Sequence, residues 1–297
     1  MTKSLLQQLA PNLRSLLSLV SKWDQIEEIR LRANQPVVIK ERAQEYGICL
    51  KGICPIDDSY RVTKEDISRT LEIMTANSWY ALEEEIRAGY LTLAGGHRVG
   101  LSGKAVMDQG KVKTLKHING LNIRLAREVI GAADRIMPYI YHNNRVVSTL
   151  IISPPGCGKT TLLRDICRQL SLRGVDIVVI DERSEIAACY KGIPQLDVGI
   201  RTYVIDGCPK AAGISMALRG LAPQVIVTDE IGHPEDGLAL QDVIRAGVQV
   251  IASCHGHDWD SVRKRKWASQ GDTAFSQVII LSRRNGPGTV EQVLKLD

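Results

Sequence analysis

No stretch of this sequence stays apolar for long enough to span a bilayer as a helix. The opening residues, MTKSLLQQLAPNLRSLLSLV, mix polar side chains with leucines throughout, so they read neither as a signal peptide nor as a membrane span. Any membrane role is therefore expected to be peripheral and to run through partners. Paired cysteines are missing too. The seven present (Cys49, Cys54, Cys157, Cys167, Cys189, Cys208, Cys254) are scattered, odd in number and without metal-ligand spacing. That excludes a disulfide scaffold and fits a reducing, cytoplasmic compartment. Nor does one charge dominate. The formal net charge is +5, with 21 Lys/Arg against 16 Asp/Glu through Arg145 and 17 against 17 beyond it. The excess hints at an anionic partner for the N-terminal half without naming nucleic acid, and an ordinary solvated surface would give the same count.

What the sequence does have is 297 residues, 44% of them hydrophobic, enough for a substantial core and two domains. The expected division is a smaller mixed α/β domain over 1–127, a linker and leading helix over 128–144, and a second domain over 145–297. The strongest signal is VVSTLIISPPGCGKTTLLRDICRQL, from Val146 to Leu170. A β-branched run, a Pro/Gly turn and a helical pattern follow one another in the order of a phosphate-binding loop. The loop is Ser153, Pro154, Pro155, Gly156, Cys157, Gly158, Lys159, Thr160 and Thr161. Its glycines let the backbone wrap an anion, and the following helix offers its positive end. Lys159 is expected to reach the β- and γ-phosphates of a nucleoside triphosphate, ATP foremost, and Thr160 to complete a magnesium shell. Ser153 stands where the full pattern has its first glycine. The loop is intact if φ there is negative and distorted if it is positive.

A second signal is PQVIVTDEIG, Pro223 to Gly232, an apolar strand ending in two acids some seventy residues downstream. Asp229 would hold magnesium through water, and Glu230 would align or deprotonate a nucleophilic water. Between the two signals, Asp176 to Ile180 reads as a buried parallel strand that delivers Asp181, Glu182, Arg183, Ser184 and Glu185 to the same sheet end. Glu182 or Glu185 could polarise the attacking water or hold a magnesium-bound one. A strand from Val248 to Ser253 ends in CHGH, where His255 fits a γ-phosphate sensor; a zinc reading of Cys254, His255 and His257 lacks a distant ligand group. Gly192 to Gly213 reads as a long loop over the site with a short strand at Thr202 to Ile205. The helix from Ile214 to Leu221 presents Arg219, which could meet phosphate across an interface. The basic run Arg263 to Lys266, between Trp259 and Trp267, fits a solvated helix face better than a nucleic-acid contact.

In the first domain, Leu5, Leu6, Leu9, Leu13, Leu16, Leu17 and Val20 recur at helical steps, interrupted by Pro11. They would form either a packed face or a docking face. Two strands are expected across Ile26 to Ile39, another at Tyr46 to Leu50, a helix from Lys64 to about Ala76 capped by Thr63, and a second helix across Tyr80 to Ala88. The glycine-rich stretch GYLTLAGGHRVGLSGKAV carries His97 and Arg98; Arg98 could contact phosphate from its own or a neighbouring subunit. Arg124 and Arg127 lie just ahead of the second domain, where salt bridging is as good an account as nucleotide sensing.

Together EEIRLRANQPV, ALEEEIRAGYLTLAGGHRVGLSG, NIRLAREV, the phosphate loop, IDERSEIA, APQVIVTDEIG and the CHG turn resemble the stage III sporulation AA family. That family is related to the type II and type IV secretion, pilus-assembly and DNA-transfer ATPases. The resemblance implies an α/β fold with a RecA-like P-loop ATPase domain, its sheet mostly parallel, behind the smaller N-terminal domain. It implies an acidic box at Asp181, Glu182 and Glu185, a histidine box at His255, and nucleotide-reaching arginines at Arg98 and Arg124. It further implies Mg2+-dependent ATP hydrolysis by a homo-oligomer, a hexameric ring. The output would be a sporulation channel between mother cell and forespore, reached through the cytosolic part of a small integral membrane protein. Two departures stand out: the chain is shorter than most secretion ATPases and lacks their tetracysteine metal element. A nucleic-acid-stimulated ATPase and an ATP-gated scaffold with little turnover are the alternative readings.

Overall fold

The chain packs as two compact units, residues 1–127 and 128–297. The computed structural model describes residues 2–41, 44–76 and 82–296.

The first unit begins with helices α1 (Thr2–Gln7) and α2 (Pro11–Leu17), separated because Pro11 starts the second at its first turn. Strands β1 (Ile26–Arg32), β2 (Val38–Glu41), β3 (Gln44–Cys49) and β4 (Gly52–Cys54) follow, then α3 (Lys64–Met74) and α4 (Glu83–Arg87). The last strands are β5 (Tyr90–Thr92), β6 (Arg98–Asp108) and β7 (Lys111–Arg124). Thr63 and Asp66 form a reciprocal capping box at the start of α3, so two orphan amides find partners. Tyr80 and Ala81, expected in the second helix, lie outside the described residues.

The strands form an antiparallel sheet in the order β4-β3-β2-β1-β7-β6-β5. Alternation puts Ile29, Leu31, Val99, Leu121 and Ile123 on one face, packed with Leu5, Leu9, Leu13, Leu16, Leu17 and Ile67. The N-terminal leucine stripe is therefore core, and the docking-face alternative falls. His97, in the glycine-rich stretch, is buried. Its Nδ1 accepts from the Ala126 amide at 3.1 Å, and burial pushes its pKa down to about 4.

The second unit opens with α5 (Met137–Ile140) and the small hairpin β8 (Tyr141–His142) and β9 (Arg145–Val146). The main elements are β10 (Thr149–Ser153), α6 (Lys159–Leu172), β11 (Ile177–Asp181), β12 (Thr202–Asp206), α7 (Lys210–Gly220), β13 (Val225–Thr228), α8 (Pro234–Arg245), β14 (Gln249–His255), β15 (Gln277–Ser282) and β16 (Thr289–Lys295). They form a sheet in the order β12-β11-β13-β14-β10-β15-β16, parallel except for the last strand. Every residue of β10, β11 and β13 is buried. Alternate residues enter separate cores on the two faces: Ile151, Ile177 and Val179 on one, Leu150, Ile152, Val178 and Ile180 on the other. Continuous apolar runs are the signature of such a doubly covered sheet.

Several boundaries differ from expectation in ways that matter for the site. The strand between the two signals, β11, runs to Asp181, which is thus strand and not loop; β14 likewise includes Cys254 and His255. Helix α7 starts at Lys210, four residues early. The segment expected to cover the site instead crosses the C-terminal half of α6, where the Arg201 amide donates to Ser171 Oγ at 2.8 Å, and then adds β12 as a sheet edge. Trp267 is fully buried, so it cannot serve as an exposed aromatic beside the Arg263–Lys266 run.

Candidate phosphate and hydrolysis site

The carboxyl ends of β10, β14, β13 and β11 lie side by side, and each carries a polar residue suggested by the sequence. Ser153 ends β10 in register with His255, and it is not among the residues with positive φ. The serine substitution therefore leaves the strand extended and the loop undistorted. Left-handed backbone falls instead on Gly156 (φ 71°) and on Gly158 (φ 84°), the N-cap of α6. A side chain is disfavoured at both. At Gly156 a Cβ would also come within 3.3 Å of the Arg283 guanidinium, and at Gly158 within 3.4 Å of Pro287. The turn joining β15 and β16 thus lies against the loop, tied by the Gly288 amide donating to the Cys157 carbonyl at 2.9 Å. Arg283 was not singled out in the sequence; its position against Gly156 marks it as a candidate anion contact.

Lys159 Nζ is buried and folded back. It donates to Ser153 O, Ser153 Oγ and Pro154 O, each at 3.3 Å, and lies 3.0 Å from His255 Nδ1. An ammonium has only donors, so Nδ1 accepts and the imidazole carries its proton on Nε2. That nitrogen meets Glu230 Oε1 at 2.8 Å, and Glu230 Oε2 is 2.7 Å from Arg183 Nη1. The result is a continuous polar chain, Lys159–His255–Glu230–Arg183, across three strand ends. Burial lowers the Lys159 pKa, with Glu230 acting in the opposite sense. Glu230 also holds φ at +33°, a costly backbone for a non-glycine residue and of a kind that concentrates at functional sites.

Asp229 is 2% exposed, and its Oδ1 has no hydrogen-bond partner. Burial, reinforced by Asp181, Glu185 and Glu230 and opposed by Lys210, raises its pKa to about 6. Lys210 Nζ lies 3.7 Å from that oxygen and also binds Glu182 Oε2. This lysine was not legible in the sequence, because the helix that carries it was expected to begin at Ile214. Asp181 faces inward and accepts the Glu185 and Ala187 amides, each at 2.8 Å, so it shapes the acidic loop. The Glu185 and Ile186 carbonyls accept from Arg164 at 2.7 and 2.5 Å.

Residues 2–296 match the family described as Sporulation stage III, protein AA. The chain belongs to that family. It is 44% identical over 284 residues to stage III sporulation protein AA of Bacillus subtilis (strain 168), covering 93% of this chain and 89% of that one. A more distant similarity, 32% over 148 residues, reaches Protein SEEDLING PLASTID DEVELOPMENT 1 of Arabidopsis thaliana, covering 49% of this chain and 21% of that protein. In fold, the family member resembles the Legionella pneumophila ATPase DotB (TM-score 0.56, 16% identity, 91% of this chain and 74% of that one). It also resembles the pilus retraction motor PilT with bound ADP (TM-score 0.55, 16% identity, 91% and 76%). The RecA-like α/β architecture follows from these likenesses.

Three further arginines named from the sequence of this family member each have local contacts within their own unit. Arg219 is exposed on α7 and donates to Ser215 Oγ one turn back at 2.8 Å. Arg98 and Arg124 sit in the first unit, directly opposite one another across β6 and β7, with the Arg98 guanidinium 3.7 Å above the Tyr90 ring. Among the described residues, no group of three or more His, Cys, Asp or Glu is placed to hold a metal, and no helix is long and apolar enough to cross a membrane.

Proposed function

We propose that this chain is a Mg2+-dependent ATPase acting in sporulation, working as a homo-oligomer, a hexameric ring, recruited to a membrane complex through the cytosolic part of a small integral membrane protein. The observation that carries this reading is the polar chain from Lys159 through His255 to Glu230, beside the buried Asp229 Oδ1, which has no hydrogen-bond partner. The donor set suits Mg·ATP: a cradle whose glycines hold positive φ, a hydroxyl at Thr160, and a buried carboxylate oxygen without a hydrogen-bond partner. Thr160 and Asp229 would hold the ion, which when bound neutralises charge on the β- and γ-phosphates.

The protein's own contribution is positional. Lys159 would leave Ser153 O and Pro154 O for phosphate oxygens, with Thr161 and the amides of Gly156, Cys157 and Gly158 completing the cradle. That movement would break the contact with His255 Nδ1, so His255 would transmit loading of the loop to Glu230. Freed from Arg183, Glu230 Oε2 would accept the proton of the attacking water. Lys210 neutralises Glu182, which favours Glu230 as the base and leaves the Glu182 and Glu185 loop to support water around the ion. Arg98, Arg124 and Arg219 would act from the first unit or a neighbouring subunit.

Steady-state ATPase assays with parallel nucleotide-binding measurements test this. Glu230→Gln should bind ATP as the unmodified chain does while turnover falls on the order of 100-fold or more. Lys159→Ala should lose binding as well. Near-normal turnover in Glu230→Gln would move the base to the acidic loop. Absence of turnover in the unmodified chain, with Lys159-dependent assembly, would favour an ATP-gated scaffold.

A further inference from the structure

The hairpin of β6 and β7 outruns the sheet it belongs to. β5 pairs with β6 only from Arg98 to Gly100, and β1 pairs with β7 only from Gly120 to Arg124. Among the described strands, residues 104–116 pair only with one another. Leu115 and Ile118 still rest against the first unit's core. Beyond them the ribbon runs roughly 15 Å further at the usual strand rise. It ends in a tight turn at Gln109 and Gly110, both at positive φ (48° and 78°).

Charge is concentrated here. Residues 104–116 contain Lys104, Lys111, Lys113 and Lys116 against Asp108 alone, so thirteen residues hold three of the chain's five excess positive charges. All four lysines are exposed. Lys104 and Lys116 are direct cross-strand partners, an arrangement that costs stability unless an anion sits nearby. The ion pair of Lys113 with Asp108 at 3.6 Å is open to solvent. At the tip Met107 is 57% exposed, with Val106 and Val112 half-buried beside it.

A two-stranded ribbon is marginal alone in water, and this one combines exposed lysines with an exposed methionine beside its turn. An anionic lipid surface satisfies both: headgroup phosphates take the lysines, and the acyl boundary takes Met107. Duplex DNA would satisfy the lysines but leave Met107 against phosphate or water. We propose that the β6–β7 ribbon is a membrane-contacting arm that binds the headgroup layer of an anionic phospholipid bilayer. Membrane contact would then be partly the chain's own, where the sequence suggested partners alone.

Vesicle co-sedimentation of the full chain tests this, independently of the nucleotide site. Mixed phosphatidylcholine and phosphatidylglycerol vesicles should bind the protein, phosphatidylcholine alone should not, and added salt should weaken binding. Replacing the four lysines together (Lys104→Ala, Lys111→Ala, Lys113→Ala, Lys116→Ala) should weaken binding at least about tenfold with an unchanged thermal melt, and four arginines should restore it. Met107→Ser should lower it by about two- to fivefold. Vesicle binding that survives the four alanines overturns the proposal. So does lysine-dependent binding to duplex DNA without binding to vesicles.

Discussion

The two sheets of this protein put their chemistry in different places, because they are covered differently. In the second unit, β10, β11 and β13 are buried on both faces, so polar groups can emerge only where the strands stop. Lys159, His255, Glu230 and Asp229 cluster there for that reason. In the first unit one sheet face is core and the other is open. Arg30, Arg124 and Arg98 stand along that open face, and Lys104, Lys111, Lys113 and Lys116 on a hairpin that leaves the sheet. A doubly covered parallel sheet concentrates function at an edge of the strands; a half-covered antiparallel one spreads it over a surface.

Truncation experiments would sharpen the contrast most. Ile151→Ala, inside β10, should cost the second unit about 3–5 kcal/mol in chemical denaturation, whereas Met107→Ala on the ribbon should change stability by less than about 0.5 kcal/mol. Equal effects would mean that the ribbon is packed in solution.

A smaller effect is expected from Lys210→Met. Removing the cation leaves Asp229 and Glu182 facing one another without compensation, at a cost of about 3 kcal/mol near pH 7.5 without divalent ions. The Asp229 pKa is raised to about 6 in the folded chain from 3.8, so its contribution is most favourable below 3.8 and is lost as pH rises through 6. The Lys210→Met deficit should therefore shrink on acidification from pH 7.5 towards 5, and Mg·ATP should reduce it at neutral pH. A deficit that grows on acidification would contradict this account.

The smallest effect concerns the first unit and has the opposite sign. His97 is held neutral, with its pKa lowered from 6.5 to about 4, so its contribution is intact above pH 6.5 and is lost as pH falls towards 4. By pH 5 the loss should reach about 2 kcal/mol. His97→Asn, which offers an acceptor to the Ala126 amide without titrating, should flatten the stability profile between pH 6.5 and 4 in denaturation curves. An unchanged slope would assign the acid sensitivity elsewhere.

Much of the second unit was legible because local patterns and tertiary demands agree there. Val225–Thr228 reads as a buried strand and is one, and the Pro/Gly turn before Lys159 contains the left-handed glycines its geometry needs. The leucines ahead of Val20 show the limit: amphipathicity is the same whether the covering surface belongs to the chain or to a partner, and only packing decided for the core. His97 shows it again, since burial of a lone histidine leaves no local trace. The ribbon's length was hidden because glycines within an alternating strand look like a break.

By itself the sequence determined the order of strand, phosphate loop and helix, the apolar strands ending in acids, and the uneven charge, because these depend on neighbours in the chain. Tertiary structure alone decided that β14 lies between β10 and β13, bringing His255 within reach of both Lys159 and Glu230. It also decided that Lys210 neutralises Asp229 and Glu182 and that Arg283 lies over the phosphate loop. Those contacts join residues tens of positions apart, and side-chain spacing along a chain carries no information about which strand ends will meet.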